Sequence, residues 1–339
     1  MGILQILSHQ PGAGKTSLAA ALLIRLAKSQ TSAAYYQPFS KPDSARQHAE
    51  TEFLQTTLVN PSGGPTIPPT RPIPSNSITS SGLPYVDDRE IQTAVEALLR
   101  SVASVIVDGP TLDAVSRPIV IPEAKVLVLF RYSPNLSAAA ISQAVAAFGS
   151  NLCGISVTLV TKHRVEDVQN SLLAELRSQG MPVAGLIPET RILRGPTVRQ
   201  MAETLNARWI QEPTDIDVPV ERFLIGGNIM DTGPEYYGRY DNQAVIVRSQ
   251  RPDIQMASLL AGTRCLVLTE GGDPTEYVKV EAMQRDVPLM VVSSNTSDTA
   301  DALAPLATQD HPLNLAKLTQ FADGLDLALE VESLLTFLA

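Results

Sequence analysis

Cysteine is nearly absent from this 339-residue sequence, which has two, Cys153 and Cys265. Two thiols cannot staple a disulfide-rich fold or make a zinc site on their own. Both sit in apolar runs, LCGISVTLV and RCLVLTE, so they read as buried free thiols, in keeping with a reducing cytoplasm. A basic excess is also lacking. Lys and Arg number 26 against 35 Asp and Glu, a net charge of −9, which argues against nucleic acid and anionic membrane as partners. No apolar stretch approaches the roughly 18 residues that span a bilayer. Even SLAAALLIRLA is broken by Arg25 and continues into Lys28. The opening residues MGILQILSHQ place no basic segment before their short apolar run, so no secretory signal is expected. These absences point to the cytoplasm.

What is present is enough apolar material to fold. Hydrophobic residues make up 44% and charged residues 18%, which excludes disordered and fibrous classes, and the length suits two domains. ILQILS ends in a glycine-rich segment, and an Ala/Leu-rich helical segment runs from Ser17 to Lys28. After a second short strand, SAAYYQPF, the stretch Pro61–Pro84 holds seven prolines and no acidic residue, a long loop that reads as a lid or as disordered chain. From Asp87 onward, apolar strands (VASVIVDGP, KVLVLFRY, LCGISVTLVTK, PVAGLIP) alternate with helical segments, the pattern of a parallel sheet covered on both faces. A helix over Pro196–Ala207 precedes the acidic, proline-bounded segment EPTDIDVP. A second α/β series then begins at ERFLIGG. The expected organisation is a domain over 1–210, a linker over 211–219 and a smaller α/β domain over 220–339. The terminal segment LDLALEVESLLTFLA carries an apolar stripe suited to packing within the chain or to a partner, a second copy included.

The sharpest signal is Gly12-Ala13-Gly14-Lys15-Thr16-Ser17, set between a strand and a helix. Glycines there let backbone N–H groups turn toward a phosphate at a helix N-terminus; Lys15 reaches the β/γ oxygens, and the Thr16 hydroxyl suits Mg²⁺. The full pattern G-x-x-x-x-G-K-[ST] has glycine where this chain has His9, which reads as a packing residue or a phosphate ligand. Asp108 ends an apolar strand at the edge where such sheets bind ligands, and its carboxylate suits Mg²⁺ or a turn role.

These residues resemble the dethiobiotin synthetase-like branch of P-loop proteins, and the whole chain resembles the family that fuses such a domain to a DRTGG domain, as in the N-terminal region of long phosphate acetyltransferases. The resemblance rests on the loop at 8–17, YYQPF, IVDGP, GLIPET, PTVRQMAETLNA, ERFLIGG, RPDIQMASLLAG and LTEGG, in that order. It implies a P-loop NTPase-type fold binding ATP and Mg²⁺. It places a second acidic metal partner at Glu50, with Glu52 equally available and a solvated helix face the other reading. Base contacts fall at Thr161, where the family has Asn, and at the Ile187-Pro188-Glu189 loop. The family's lysine, which contacts carbamate and phosphates, is Gln37 here, and its Glu-Gly is Asp108-Gly109. Authentic dethiobiotin synthesis is therefore not expected. In the second domain, Gln250-Arg251-Pro252-Asp253 stands where the family has Asp-Arg-Thr, and Gly271-Gly272 follows Thr269-Glu270. Those glycines make either tight turns or room for an anionic ligand.

Three functions follow as expectations. One is a protein that binds Mg-ATP, with or without hydrolysing it, and carries a regulatory or ligand-sensing DRTGG-like domain, Lys15 and Asp108 carrying any catalysis. Another is an ATP-dependent ligase acting on a small carboxylate or amine. The third is a regulatory or scaffold subunit. Phosphate acetyltransferase activity is not expected.

Overall fold

The computed structural model describes residues 2–38, 45–59, 88–112, 120–210, 214–227, 233–309, 311–325 and 328–338. The proline-rich stretch 61–84 lies outside them. The chain divides into two units, 1–189 with 318–339, and 190–317.

Unit 1 is built on a parallel six-stranded sheet with the order β2-β3-β1-β4-β5-β6. Its strands are β1 (Gly2–Ser8), β2 (Ala33–Tyr36), β3 (Ser104–Thr111), β4 (Lys125–Arg131), β5 (Leu152–Val160) and β6 (Val183–Pro188). Its helices are α1 (Lys15–Lys28), α2 (Ala45–Phe53), α3 (Asp88–Leu99), α4 (Ala138–Val145), α5 (Val165–Val168) and α6 (Ala174–Ser178), the last two joined by a π-helical turn over 169–173. The apolar strands are buried on both faces, as their unbroken hydrophobicity requires. Val126, Val128 and Phe130 pack with Ile141 and Val145 of α4, and with Val168 and Leu176. Val105 and Val107 pack with Ile91, Val95 and Leu98 of α3. α1 lies against β1, β2 and β3. The chain passes from β3 over β1 to β4, so β1 sits where the winding reverses. In open parallel sheets ligands bind at the carboxyl edge of that strand. The glycine-rich loop leaves β1 there.

Unit 2 holds a five-stranded sheet ordered β7-β11-β10-β9-β8. The strands are β7 (Arg208–Trp209), β8 (Arg222–Ile225), β9 (Gln243–Arg248), β10 (Cys265–Thr269) and β11 (Leu289–Val291), with only β7 antiparallel among the described pairs. Period-two alternation splits its core. Ala244, Ile246, Cys265 and Val267 face Val198 and Met201 of α7 (Val198–Thr204) and Leu303 of α11 (Thr296–Leu303). Val245, Val247, Leu266 and Leu268 face α8 (Gly233–Tyr237), α9 (Pro252–Leu260) and α10 (Glu276–Gln284). Burial holds the Cys265 thiol up to about 12 and the Cys153 thiol up to about 11, so both are unreactive structural groups.

The division falls elsewhere than the composition suggests. Thr190–Ile210 belongs with unit 2: α7 opens in a capping box made by Thr197 and Gln200, and Thr197 bridges to Pro219, the last residue of the polar segment expected as a linker. The last residues return to unit 1 instead of completing the second domain. The chain crosses back in the first turn of α12 (Leu315–Gly324), and α13 (Val331–Thr336) packs against β6 and α1. Local periodicity marks α13 as amphipathic but carries no information about which sheet it covers. Backbone bonds fix the return: Leu186 N–H donates to Ala328 O at 2.9 Å and Glu330 N–H to Ala184 O at 2.9 Å, so the segment pairs with β6.

Gly185 makes that pairing fit. Its φ is +135°, and a Cβ there would collide with Ala328 O and stand 3.1 Å from Leu329 Cα. Gly185→Ala is expected to destabilise unit 1 by more than about 1 kcal/mol, because both backbone strain and the collision oppose it. Urea unfolding followed by circular dichroism checks this, with Trp209 emission reporting unit 2 as the control. An unshifted dichroism transition would contradict it.

Candidate phosphate and metal site

Helix α1 begins without a side-chain cap and with no acidic residue in its first turn; its cap residue is Gly14 in the left-handed region, φ +90°. The leading N–H groups of a helix have no partner within it, and the dipole makes that end attractive to anions. Gly12 is also left-handed, φ +70°, and a Cβ on either glycine would meet nothing within 4 Å. The glycines are therefore needed for backbone conformation, and the space beside them is open. Ala13 is buried, while Gly14, Lys15, Thr16 and Ser17 are half-buried.

Lys15 points back along the loop. Its Nζ donates to Ser8 Oγ at 3.0 Å and Thr111 Oγ1 at 3.5 Å, hydroxyls at the ends of β1 and β3. Burial lowers its pKa, and the nearby Asp108 carboxylate opposes that shift. The ammonium thus stands in a place where its charge is poorly solvated and a phosphate would be a better partner than two neutral hydroxyls.

Asp108 lies opposite Ile6 in the β3–β1 register and is 1% exposed. Its Oδ2 accepts from Thr16 Oγ1 at 2.7 Å, Tyr35 OH at 3.0 Å and Gln37 Nε2 at 3.4 Å. Its Oδ1 is buried with no hydrogen-bond partner. Burial raises the carboxyl pKa, Lys15 and the hydroxyl donors pull it down, and the charge of Glu50 pushes it up. A buried carboxylate with one bare oxygen and the Thr16 hydroxyl on the other offers the oxygen donors that suit Mg²⁺, which takes one or two carboxylates and keeps several waters. Thr16 and Asp108 would hold the ion directly or through water, and Glu50 is close enough to act on the same field.

The other expected residues scatter. Glu50 is half-buried on α2, and Glu52 is exposed. Thr161 and Pro188 lie at the ends of β5 and β6, where Val160 pairs with Pro188 and Glu189 N–H donates to Val160 O at 2.8 Å. Those strands stand two and three places from β1, about 10 and 14 Å away at the usual strand spacing. His9 stacks on Phe130 with ring centroids 5.3 Å apart, and its Nδ1 is buried without a partner. In unit 2, Arg251 is committed to Asp253 through two bonds of 3.0 and 2.7 Å, and Arg248 pairs with Glu270 at 3.1 Å. Gly271 has φ +73°, Gly272 packs on Ser249 Oγ, and Thr269 Oγ1 lies 3.1 Å from Thr296 Oγ1. The structure adds Ser8, Tyr35, Thr51 and Thr111 to the site. Tyr35 carries no chemical signature within YYQPF, and Thr51 carries none between two glutamates.

The lowered pKa of Lys15 has a sign that can be tested. A lysine whose folded pKa is depressed carries its full penalty below that folded value, and the penalty fades as pH rises from there to the ordinary lysine value. Lys15→Met is expected to raise the ligand-free thermal midpoint at pH 7, with the gain shrinking as pH rises toward the ordinary lysine value of about 10.4 and gone above it. Differential scanning fluorimetry across pH checks it, and a lowered midpoint at pH 7 would contradict it.

Residues 200–306 match the DRTGG domain family. Among solved structures, the chain is similar to the MinC:MinD cell division protein complex of Aquifex aeolicus at 16% identity, covering 57% of this chain and 83% of that one, with a TM-score of 0.40. It is similar to the CBS and DRTGG domains of the regulatory region of Clostridium perfringens pyrophosphatase, complexed with diadenosine tetraphosphate, at 15% identity, covering 57% and 78%, with a TM-score of 0.30. It is also similar to the signal recognition particle 54 kDa protein of Aeropyrum pernix K1 in complex with GDP, at 14% identity, covering 56% and 42%, with a TM-score of 0.36. Among the described residues no helix is long and apolar enough to cross a membrane. The chain joins a parallel α/β sheet, with a glycine-rich loop between β1 and α1, to a unit in which residues 200–306 match the DRTGG domain.

Proposed function

We propose that unit 1 binds a Mg²⁺–nucleotide, ATP being the ligand to test first, and that the DRTGG-containing unit serves a regulatory or ligand-sensing role. The observation that carries the first part is the buried Asp108 carboxylate, whose Oδ2 accepts from Thr16 while its Oδ1 has no partner, with Lys15 held on two hydroxyls. Such groups cost about 1–3 kcal/mol when left unsatisfied, and a polyanion with its cation would satisfy them together. The bound metal would supply charge neutralisation to the phosphates. The protein's own part is to present α1's N–H groups, to place the Lys15 ammonium near the phosphates and to hold the carboxylate. Thr161 and the loop after Pro188 lie at a distance that suits the base of a mononucleotide.

The regulatory reading of unit 2 is favoured by how its polar groups are used. The arginines at the strand ends are tied to neighbouring carboxylates, Arg251 to Asp253, Arg248 to Glu270 and Arg208 to Asp273. These pairs are exposed or half-exposed and worth little individually. They shape turns more readily than they perform chemistry. The ligase reading loses support at Gln37, because its amide is occupied between Asp108 and Thr51.

Isothermal titration of the full chain with ATP and Mg²⁺ tests the first part. Saturable binding is expected, and Lys15→Ala is expected to weaken it by about 10–100-fold, the worth of one or two hydrogen bonds to a charged group. No heat of binding in the parent protein, with a stable fold by circular dichroism, would contradict the proposal.

A further inference from the structure

We infer that Tyr35, Gln37 and Thr51 are positioning residues for the metal-binding carboxylate of Asp108, fixing which of its oxygens is presented to the cation and tying that choice to α2. The inference rests on the reading of unit 1 as a Mg²⁺–nucleotide site. The two oxygens of a carboxylate are chemically equivalent, and rotation of the side chain exchanges them. Here they are made unlike: Oδ2 receives three donors and Oδ1 none. Each donor comes from a different place, Thr16 on the phosphate loop, Tyr35 at the end of β2, and Gln37 just beyond it.

Gln37 is itself oriented. Thr51 Oγ1 donates to Gln37 Oε1 at 2.6 Å, which leaves Nε2 as the end that faces Asp108. An amide has one acceptor end and one donor end, and Asp108 as a carboxylate offers only acceptors, so the chain Thr51→Gln37→Asp108 has a single satisfactory direction. Gln37 and Thr51 are both buried, at 5% and 4% exposure, so water does not compete for these groups. Thr51 follows Glu50 on α2, and the relay therefore sets the distance between the second carboxylate and the first. Tyr35 is fully buried, and burial together with the Asp108 charge holds its phenol well above the ordinary range, so it remains a donor.

The choice of glutamine matters electrostatically. A lysine in that place would neutralise Asp108, whereas an amide donates a hydrogen bond without adding charge. The carboxylate keeps its full attraction for a divalent ion. When the Thr16 hydroxyl is taken by another partner, Tyr35 and Gln37 still hold Oδ2 in place. Partners of this kind, one bond removed from a metal, typically change its affinity by 10–100-fold.

The test is ATP binding by calorimetry over a Mg²⁺ series and in EDTA, for the full-length parent, Tyr35→Phe, Gln37→Met, Thr51→Val and Thr51→Ser, each checked for fold by circular dichroism. The expected result is a half-saturating Mg²⁺ concentration raised about 10-fold in Tyr35→Phe, Gln37→Met and Thr51→Val. Affinity in EDTA is expected to stay within about 2-fold, and Thr51→Ser to behave as the parent, since it keeps the hydroxyl. Parent-like Mg²⁺ dependence in the folded variants, or equal weakening with and without Mg²⁺, would overturn the inference while leaving nucleotide binding intact. If Gln37→Met does not fold, the Thr51→Val and Thr51→Ser pair decides. A parent protein that binds no ATP under any condition overturns the underlying reading and this inference with it.

Discussion

The constraint on which the site depends is the burial of one carboxylate with unequal oxygens. Asp108 sits at the end of a central strand, in a place that disfavours its charge, yet three donors converge on Oδ2 and leave Oδ1 bare. A structural aspartate in such a place would be expected to have both oxygens satisfied. Leaving one unsatisfied is tolerable when something positive arrives to meet it. The depressed lysine and the elevated carboxyl share one first cause, burial, which disfavours both charges, and their mutual attraction opposes both shifts.

The sheet makes this arrangement available. Because β1 lies between β3 and β4, its loop leaves the sheet where the winding reverses, and β3 delivers Asp108 beside the start of α1. The two left-handed glycines let the chain turn directly into α1, whose first N–H groups then face open space. The C-terminal segment closes unit 1 from another direction by pairing with β6. Lys28 and Asp323 add an exposed ion pair of small worth to that return.

Much of this was legible in the sequence, for reasons that differ between elements. Unbroken apolar runs such as KVLVLFR suit strands buried on both faces, as the sheet has them, and Gly14-Lys15-Thr16 between a strand and a helix has the residue types a phosphate loop would need. Asp108 was legible because a carboxylate ending an apolar strand is costly without a role. The donors around it were not. Tyr35 reads as an ordinary apolar strand residue, and Thr51 reads as helix surface, because which strand lies beside which is a property of topology. The unit boundaries escaped for the same reason: the proline-bounded acidic segment near 211–219 looks like a linker locally, but α7 and its capping Thr197 already belong to the second unit. Gln37 was legible as a departure from lysine, while its actual use, as a neutral donor oriented by Thr51, required coordinates.

The most direct measurement is a crystal structure of the full chain with Mg²⁺ and a non-hydrolysable ATP analogue at saturating concentration. The account predicts phosphates against the Gly12–Lys15 backbone, the metal on the Thr16 and Asp108 Oδ1 side, and Tyr35 and Gln37 still bonded to Oδ2. A phosphate loop without nucleotide density, or a metal that avoids Asp108, would contradict it.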